Sequence, residues 1–449
     1  MTGSVQFGRW AILAFLAVMV GATVVYSFVQ VIGNDPYFSR QGFYALSPEP
    51  TIQALSYVTA LAPTLWLPRT PRAPSDICVH YLYFFTFLPS CVLFPYIATA
   101  DPSGQGLQLG MFTLAFGLVE VRKFVLPLNG AQLSFNNEKV FELILWFFIV
   151  ICLIILATSE QFSVDNLSLT GVYERRSEFL SNESFSRLIV GYAANWGAVA
   201  LAPVALVYGL DRRRPVLAMA GLVLAVATFA ATSFKSHVFV PLLIVGLYFA
   251  WKAMRPSQNY TIIGLLAWAI AILPVLLDAY LSGLPVATWT VNFRFLGNNG
   301  FLTAQYFNFF ENHDKGLYAD SIGRLFVEPR YNVPVAQIVG ETFSPVKGNH
   351  ANANLWADGF GNLGYPGIML ASIELILFLW AADILCRRLS LRLAGPVMIS
   401  ACFALANTSV HTMLTSNGGL PLLMLLAIMP PLDAHRAALA RPARLALLR

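Results

Sequence analysis

Long apolar segments separated by short polar ones follow one another along almost the whole chain. A helix of about 20 apolar residues is long enough to cross the roughly 30 Å of hydrocarbon in a membrane. About twelve segments approach this length, at 10–32, 51–67, 77–99, 105–121, 140–158, 187–210, 216–233, 237–254, 260–281, 363–385, 395–410 and 418–433. The pattern therefore predicts about twelve transmembrane helices.

The composition is that of a chain dissolved in lipid. Hydrophobic residues make up 57% of its 449 residues and charged residues 11%, against roughly 45–50% and about 25% in soluble domains. The five cysteines lie in or beside apolar segments without metal-ligand spacing, which favours buried thiols. We expect an all-α polytopic integral membrane protein that forms a single membrane domain over residues 1–449.

The basic residues orient this predicted bundle. With the N-terminus inside, 18 of the 28 lysines and arginines fall on the cytoplasmic side, as the positive-inside rule requires. Both termini are then predicted to be cytoplasmic. The basic residues are scattered between apolar segments, whereas nucleic-acid binding needs a clustered basic stripe, so no nucleic-acid partner is expected.

Two segments on the predicted outer side are too long for simple connections, at 159–186 and at 282–362 between predicted helices 9 and 10. Loops longer than about 12–15 residues tend to be functional or disordered. The second segment is rich in aromatic residues, which is opposite to the composition of disordered tails. We expect it to fold against the bundle, with an interfacial amphipathic helix at 301–312.

The most distinctive motifs lie in this large outer loop, in NFRFLGNNGFLTAQYFNFFENHDKGLYADSIGR (292–324) and GNHANANLWADGFGNLGYPG (348–367). They resemble the O-antigen (Wzy-type) oligosaccharide repeat-unit polymerases. The matching elements are Arg294 with Phe295, the aromatic cluster from Tyr306 to Phe310, and the stretch with Asn352, Asn354, Asp358, Asn362 and Gly364. GVYERRSEF (171–179) and SFKSH (233–237) are weaker matches.

The resemblance implies a metal-independent glycosyltransferase of a bacterial cytoplasmic (inner) membrane, without a cofactor. It would transfer a growing glycan from its polyprenyl diphosphate carrier to an incoming lipid-linked repeat unit. Its products would be O-antigen, capsule or exopolysaccharide. The implied partners are polyprenyl-diphosphate-linked oligosaccharides, membrane lipid, a flippase and a chain-length regulator.

Residue chemistry suggests roles within that activity. Guanidinium and ammonium groups suit diphosphates, and the candidates are Arg294, Arg175, Arg176, Lys235 and Arg324. The acceptor hydroxyl needs a base within hydrogen-bond reach, for which we consider Asp358, His313 and Asp320. Amide and aromatic side chains suit sugars, and the candidates are Asn352, Asn354, Tyr306 and Trp356.

Structural roles remain open for the same residues. Arg175 and Arg176 are flanked by Glu174 and Glu178 and would also form a solvated face. Asparagines near glycine also build turns and caps, and tryptophan is common at membrane interfaces.

Two other functions stay open. An O-antigen ligase, which moves the glycan onto a lipid A core, resembles the polymerases in topology. A lipid-linked oligosaccharide flippase or transporter would also have about twelve helices, although transporters tend to place polar groups at the membrane midplane. No Walker A, GxGxxG or HExxH motif occurs, so nucleotide-driven transport and zinc proteolysis have no support.

Overall fold

The computed structural model describes residues 2–125, 137–160, 162–167, 175, 184–254, 256–281, 283–344 and 348–431, and all regular secondary structure in this part of the chain is helical. In chain order the principal helices are α1 (Gly8–Ile32), α2 (Pro50–Leu61), α3 (Pro74–Tyr96), α4 (Pro102–Leu118), α5 (Glu138–Ala157), α6 (Phe185–Asp211), α7 (Pro215–Thr232), α8 (Ser236–Ala253), α9 (Gln258–Leu281), α10 (Asn298–Asn312), α11 (Val335–Phe343), α12 (Leu355–Leu363), α13 (Tyr365–Cys386), α14 (Leu391–Leu405), α15 (Val410–Thr415) and α16 (Gly419–Ile428).

Within these ranges, eight helices are long and apolar enough to cross a membrane, namely α1, α3, α5, α6, α7, α8, α9 and α13. They coincide with eight of the twelve predicted segments. The other four segments form α2, α4, α14 and α16, which have 12, 17, 15 and 10 residues. At 1.5 Å per residue they span at most about 26 Å, which is less than the roughly 30 Å of hydrocarbon. In the part of the chain that the structure describes, this is a helical membrane protein in which eight segments meet the length expected of a span.

Side-chain caps fix where several helices begin. A carboxylate or amide oxygen just before a helix accepts hydrogen bonds from backbone N–H groups that the first turn leaves unpaired. Oδ1 of Asp101 accepts from Gly104 N at 2.9 Å before α4, and Oδ1 of Asn137 accepts from Lys139 N at 3.0 Å before α5. Pro102 follows Asp101 in the first turn of α4, where its missing N–H costs nothing.

Residues 288–312, the start of the predicted outer loop, are a helix packed between the spans. A π-helical stretch, Thr288–Gly297, leads directly into α10. Nδ2 of Asn292 donates to Oγ of Ser27 at 2.7 Å and to the carbonyl of Ala271 at 2.6 Å, which ties it to α1 and α9. Nδ2 of Asn299 donates to the carbonyl of Phe85 in α3 at 2.8 Å. This segment therefore belongs to the bundle.

The prediction of an interfacial helix at 301–312 is wrong. Phe301, Tyr306, Phe307, Phe309 and Phe310 are each 5% exposed or less. Their rings pack against the protein because α10 lies between α3 and α12, and an interfacial helix would leave one aromatic face in the lipid headgroups. The aromatic residues that suggested an interface are core residues.

A buried ion network closes the end of the bundle where α3 begins and α13 ends. The side chain of Arg122 is 2% exposed and contacts Oδ1 of Asp76 and Oε1 of Glu120, both at 2.7 Å. Nε of Arg122 donates to Oγ of Ser75 at 3.2 Å, and that hydroxyl donates to Oδ2 of Asp383 in α13 at 2.6 Å. One guanidinium thus links α3, the turn after α4 and α13.

Replacing Arg122 by methionine should lower the free energy of unfolding by about 3–5 kcal/mol, because the buried carboxylate of Asp76 loses its cationic partner while Glu120 keeps only its ion pair with Lys123. Chemical unfolding of the purified protein in detergent measures the loss. The exposed Arg387 provides the control, R387M, which should change stability by less than about 1 kcal/mol. The double variant R122M/D76N should recover part of the loss, and equal losses from R122M and R387M would contradict the role of the network.

Candidate active site

The helical hairpin of α12 and α13 carries the candidate site. Oδ1 of Asn354 caps α12 by accepting from the N–H groups of Trp356 and Ala357 at 3.1 and 3.2 Å. The two helices touch at Gly359 and Gly367, where a Cβ on Gly367 would lie 1.9 Å from the carbonyl oxygen of Gly359. Glycine at both positions therefore permits the close approach that brings Asp358 beside α13.

Asp358 has an altered acidity. Burial raises the pKa of Asp358 from its ordinary value of 3.8 to about 7. The positive charge of a protonated His411 and a hydrogen bond from the Asn362 side chain oppose this rise, while the negative charges of Glu374 and Asp320 add to it. At neutral pH the carboxyl is thus present in both its ionised and its protonated form.

His411, one of the groups whose charge would act on this carboxyl, is held by several partners. Its Nδ1 is 3.5 Å from Oε2 of Glu374 in α13, and its Nε2 is 3.0 Å from Oγ of Ser409. The Tyr318 ring meets the imidazole edge to face, with centroids 4.8 Å apart. The side chains of His411 and Glu374 are 15% and 27% exposed, so the group can be reached from outside. We call Asp358, Glu374, His411 and Tyr318 the Asp358 cluster.

Residues 316–321, which we call the strap, lie over the cluster. The N–H groups of Gly316 and Leu317 donate to the carbonyls of Gly361 and Asn362, both at 3.0 Å. The N–H of Tyr318 donates to Oδ1 of Asn362 at 2.7 Å. Leu317 and Tyr318 both have φ of 55°, a region that costs energy for residues other than glycine. The three hydrogen bonds to α12 compensate for this strain and place the Tyr318 ring on His411.

Of the three predicted catalytic residues, Asp358 lies in the cluster and the other two are placed differently. Asp320 is exposed, and its Oδ2 accepts from Val335 N at 2.6 Å, so it caps α11 while its charge acts on Asp358. His313 is exposed, stacks on Phe309 with centroids 4.0 Å apart and bonds through Nδ1 to that residue's carbonyl. The contacts of His313 fix its side chain at the end of α10. The contact of Asp320 stabilises the start of α11.

Three of the predicted sugar-binding residues are part of the core, which corrects their assignment. Asn354, Tyr306 and Trp356 are at most 1% exposed. Their polar atoms bond within the protein: Nδ2 of Asn354 donates to Oγ1 of Thr303, the Tyr306 hydroxyl to the carbonyl of Ala351, and Nε1 of Trp356 to Oγ of Ser372. Side chains enclosed in this way cannot contact a sugar. Asn352 is exposed, and its sugar-binding role stays a prediction.

The predicted phosphate-binding cations differ in exposure. Arg294 is exposed, with its guanidinium carbon 4.7 Å from the centroid of the Trp289 ring. Arg324 is also exposed. Its backbone N–H donates to the carbonyl of Ser321, the last residue of the strap, at 3.2 Å. Lys235 and Arg175 are half-buried. The prediction for Arg176 falls on a residue outside the described ranges.

Sequence reasoning missed His411 and Glu374 as partners of Asp358. A carboxylate inside an apolar segment is a functional signal in itself, and Glu374 carries that signal. His411 lies 37 residues further along the chain in a short polar turn, and no spacing rule connects the two. Within the described ranges no group of three or more histidine, cysteine, aspartate or glutamate residues has the arrangement of a metal site.

Comparison with protein-family models, with curated proteins and with solved structures finds no match for this chain.

The raised pKa of Asp358 predicts how stability depends on pH. Between about pH 4 and pH 7 the unfolded chain ionises this group while the folded protein keeps it protonated, so its contribution to stability falls as the pH rises and is constant above pH 7. Asp358→Asn removes this dependence. The melting temperature of the variant should rise relative to wild type across that range and then level off.

The control for this prediction is Asp314→Asn, at a carboxylate whose side chain is 80% exposed. Its melting temperature should follow the wild type at every pH. A constant difference between wild type and D358N from pH 4 to pH 8 would show that Asp358 ionises normally in the folded protein.

Proposed function

We propose that the chain is a membrane glycosyltransferase that polymerises polyprenyl-diphosphate-linked oligosaccharide repeat units into O-antigen, capsule or exopolysaccharide. The observation that carries the proposal is the Asp358 cluster. Asp358 is the acidic residue of the polymerase-like motif, and it is also the carboxyl whose pKa lies near neutrality. A general base works best when its pKa is close to the working pH.

The reaction assigns a use to this carboxyl. A hydroxyl oxygen of the acceptor sugar bonds to the anomeric carbon of the donor glycan, and the bond from that carbon to the diphosphate oxygen breaks. Ionised Asp358 accepts the hydroxyl proton, and the polyprenyl diphosphate leaves with the bonding electrons. The activated donor supplies the driving force, in keeping with the lack of nucleotide-binding motifs in the sequence.

Electrostatics separates the two ends of the proposed site. Asp358, Glu374 and Asp320 place three carboxyl groups near the acceptor position, where a diphosphate would be repelled. The departing diphosphate needs cationic partners, which we assign to Arg294 and Arg324, with Lys235, Arg175 and Arg176 as further candidates. Phe295, next to Arg294, packs against Phe403 near the end of α14 with centroids 6.1 Å apart. Arg294 thus lies at the same end of the bundle as His411.

The charge bias along the sequence supports the proposed location. If the N-terminus is cytoplasmic, the Asp358 cluster faces the outer side of a bacterial cytoplasmic membrane, where lipid-linked repeat units would be joined. A flippase that delivers these units and a chain-length regulator are the proposed protein partners.

Variants at the two ends of the site test the assignment. Asp358→Ala should lower the polymerisation rate at least about 100-fold, because a general base contributes 10²–10⁴, and Arg294→Ala should shorten the chains by weakening carrier binding. The measurement is the chain-length profile of surface glycan at equal protein level. Glu328→Gln and Arg330→Ala, at exposed residues of the same loop, should keep long chains. Unchanged long chains from both site variants would remove the assignment.

The rival functions differ in substrate and phenotype. Membranes supplied with a lipid-linked repeat unit and no lipid A core should produce a ladder of polymers if the chain is a polymerase. Transfer only when a core is added would identify a ligase. A deletion strain should display single repeat units on its surface, whereas loss of a flippase would leave none there.

A further inference from the structure

A polar segment connects two helices that are too short to cross a membrane. Residues 406–418, which we call the polar turn, join α14 to α16 and contain the short helix α15. Eight of its 13 residues are asparagine, serine, threonine or histidine. Because α14 and α16 have only 15 and 10 residues, the depth of the turn in the membrane follows from its contacts with longer helices.

The helices α5, α6, α13 and α16 have ends at one common level. Arg212, directly after α6, contacts Oε1 of Glu138 at the start of α5 at 2.7 Å and donates to the carbonyl of Pro430, just after α16, at 2.9 Å. Arg388, just after α13, donates through Nη2 to the carbonyl of Ala427 in α16 at 2.7 Å. We call this side of the bundle the arginine end.

Counted from the arginine end, the polar turn lies near the middle of the bundle. At 1.5 Å per residue, the length of α16 places Gly419 about 15 Å from that end. Glu374, which contacts His411, lies about 18 Å from it along α13. Asn195, whose Nδ2 is 3.2 Å from Oδ1 of Asn417, lies about 24 Å from it along α6. In a hydrocarbon layer of roughly 30 Å, the turn is therefore well below the opposite surface.

A polar turn at this depth requires water beside it. Irregular backbone at membrane depth is tolerated only where it is buried in protein or lines a water-filled cavity. Thr415 is exposed, and Ser416 and Asn417 are half-buried, so the turn is not fully enclosed by protein. Because α16 lies between the turn and the arginine end, the cavity opens at the opposite end. The strap reaches the turn there, with Oγ of Ser321 3.4 Å from Nε2 of His411.

The hydroxyl groups of the polar turn suit a carbohydrate. Oγ1 of Thr415 donates to the carbonyl of His411 at 2.9 Å, and Oγ of Ser416 donates to the carbonyl of Thr412 at 3.0 Å. These bonds use the hydroxyl hydrogens, so the oxygen lone pairs serve as acceptors for a ligand. A sugar brings many O–H donors, whereas a diphosphate brings acceptor oxygens and negative charge. The turn therefore favours a sugar over a phosphate.

We propose that the polar turn is the floor of a water-filled recess and binds hydroxyl groups of a carbohydrate about half-way through the membrane. The identity of this carbohydrate as the acceptor repeat unit rests on the proposed function. The recess and its preference for hydroxyl groups do not.

The first experiment tests for water in the recess. Thr415→Cys in the full-length protein, reconstituted in lipid nanodiscs, is treated with a membrane-impermeant maleimide. The five native cysteines are buried, so the wild type gives the background. The control is Phe147→Cys, at a side chain of α5 that is 58% exposed and about 14 Å from the arginine end. T415C should react at least about tenfold faster, because a thiol in hydrocarbon does not form the reactive thiolate.

Two further measurements keep this test decisive. Ser416→Cys, a nearly isosteric change at a half-buried residue of the turn, should react as T415C does. After denaturation in detergent, all three variants should react to the same extent, which shows that their thiols are free. Reaction of T415C and S416C in nanodiscs as slow as that of F147C would overturn the recess.

The second experiment tests the ligand. The probe is the oligosaccharide repeat unit of the producing strain, released from its carrier by mild acid hydrolysis. At ten times its Kd it should slow the labelling of T415C about tenfold, because only the unoccupied recess reacts. Inorganic pyrophosphate should not slow it, and Asn312→Cys, at an exposed residue that ends α10, should label at the same rate with either probe. No protection by the oligosaccharide, or equal protection by pyrophosphate, would overturn the carbohydrate site.

The third experiment connects the recess to catalysis. Thr415→Val removes the hydroxyl at nearly constant volume and should raise KM for the lipid-linked repeat unit about 3–10-fold, the worth of one hydrogen bond, with little change in kcat. T415S should stay near the wild type. An unchanged KM in T415V would overturn the acceptor role. Lack of polymerisation in the wild type would count against the proposed function and leave the labelling results standing.

Discussion

Buried amide side chains hold the segment that carries the candidate site inside the bundle. Asn292, Asn299 and Asn354 are at most 6% exposed, and each bonds to a carbonyl, hydroxyl or N–H group of a neighbouring helix or helix end. In a membrane, polar groups that find no internal partner are costly. These hydrogen bonds therefore decide where the helical segment 288–312 and α12 can lie, and the candidate site depends on that placement.

The placement has a direct chemical consequence. With Asn354 anchored to Thr303, α12 runs beside α10 and turns at Gly364 into α13, which brings Asp358 and Glu374 together. The strap then bonds to the end of α12 and brings Tyr318 onto His411. A carboxyl enclosed in this way loses water and becomes harder to ionise. The packing that fixes the hairpin therefore also raises the pKa of Asp358.

The sequence predicts the helices well because lipid imposes a length and a hydrophobicity on each span, and α1, α9 and α13 lie close to their predicted bounds. It singles out Asp358 through a motif, and the catalytic role of this residue stays a prediction. It fails for Tyr306, Asn354 and Trp356, because the same aromatic and amide groups suit both a sugar and a buried hydrogen bond. The pairing of Glu374 with His411 could not be predicted, since it depends on how α13 and α15 pack and not on spacing.

The distribution of charge constrains how two substrates would share the proposed site. The Asp358 cluster contains two carboxyl groups, with Asp320 close by, so it suits the hydroxyl groups of an uncharged acceptor sugar better than a phosphate. The guanidinium groups of Arg294 and Arg324 are exposed and suit the anionic carriers. A donor bound with its diphosphate on the arginines and its anomeric carbon toward Asp358 satisfies both preferences. In the proposed reaction, the separation of negative from positive side chains thus sets the direction in which the glycan is passed from one carrier to the next.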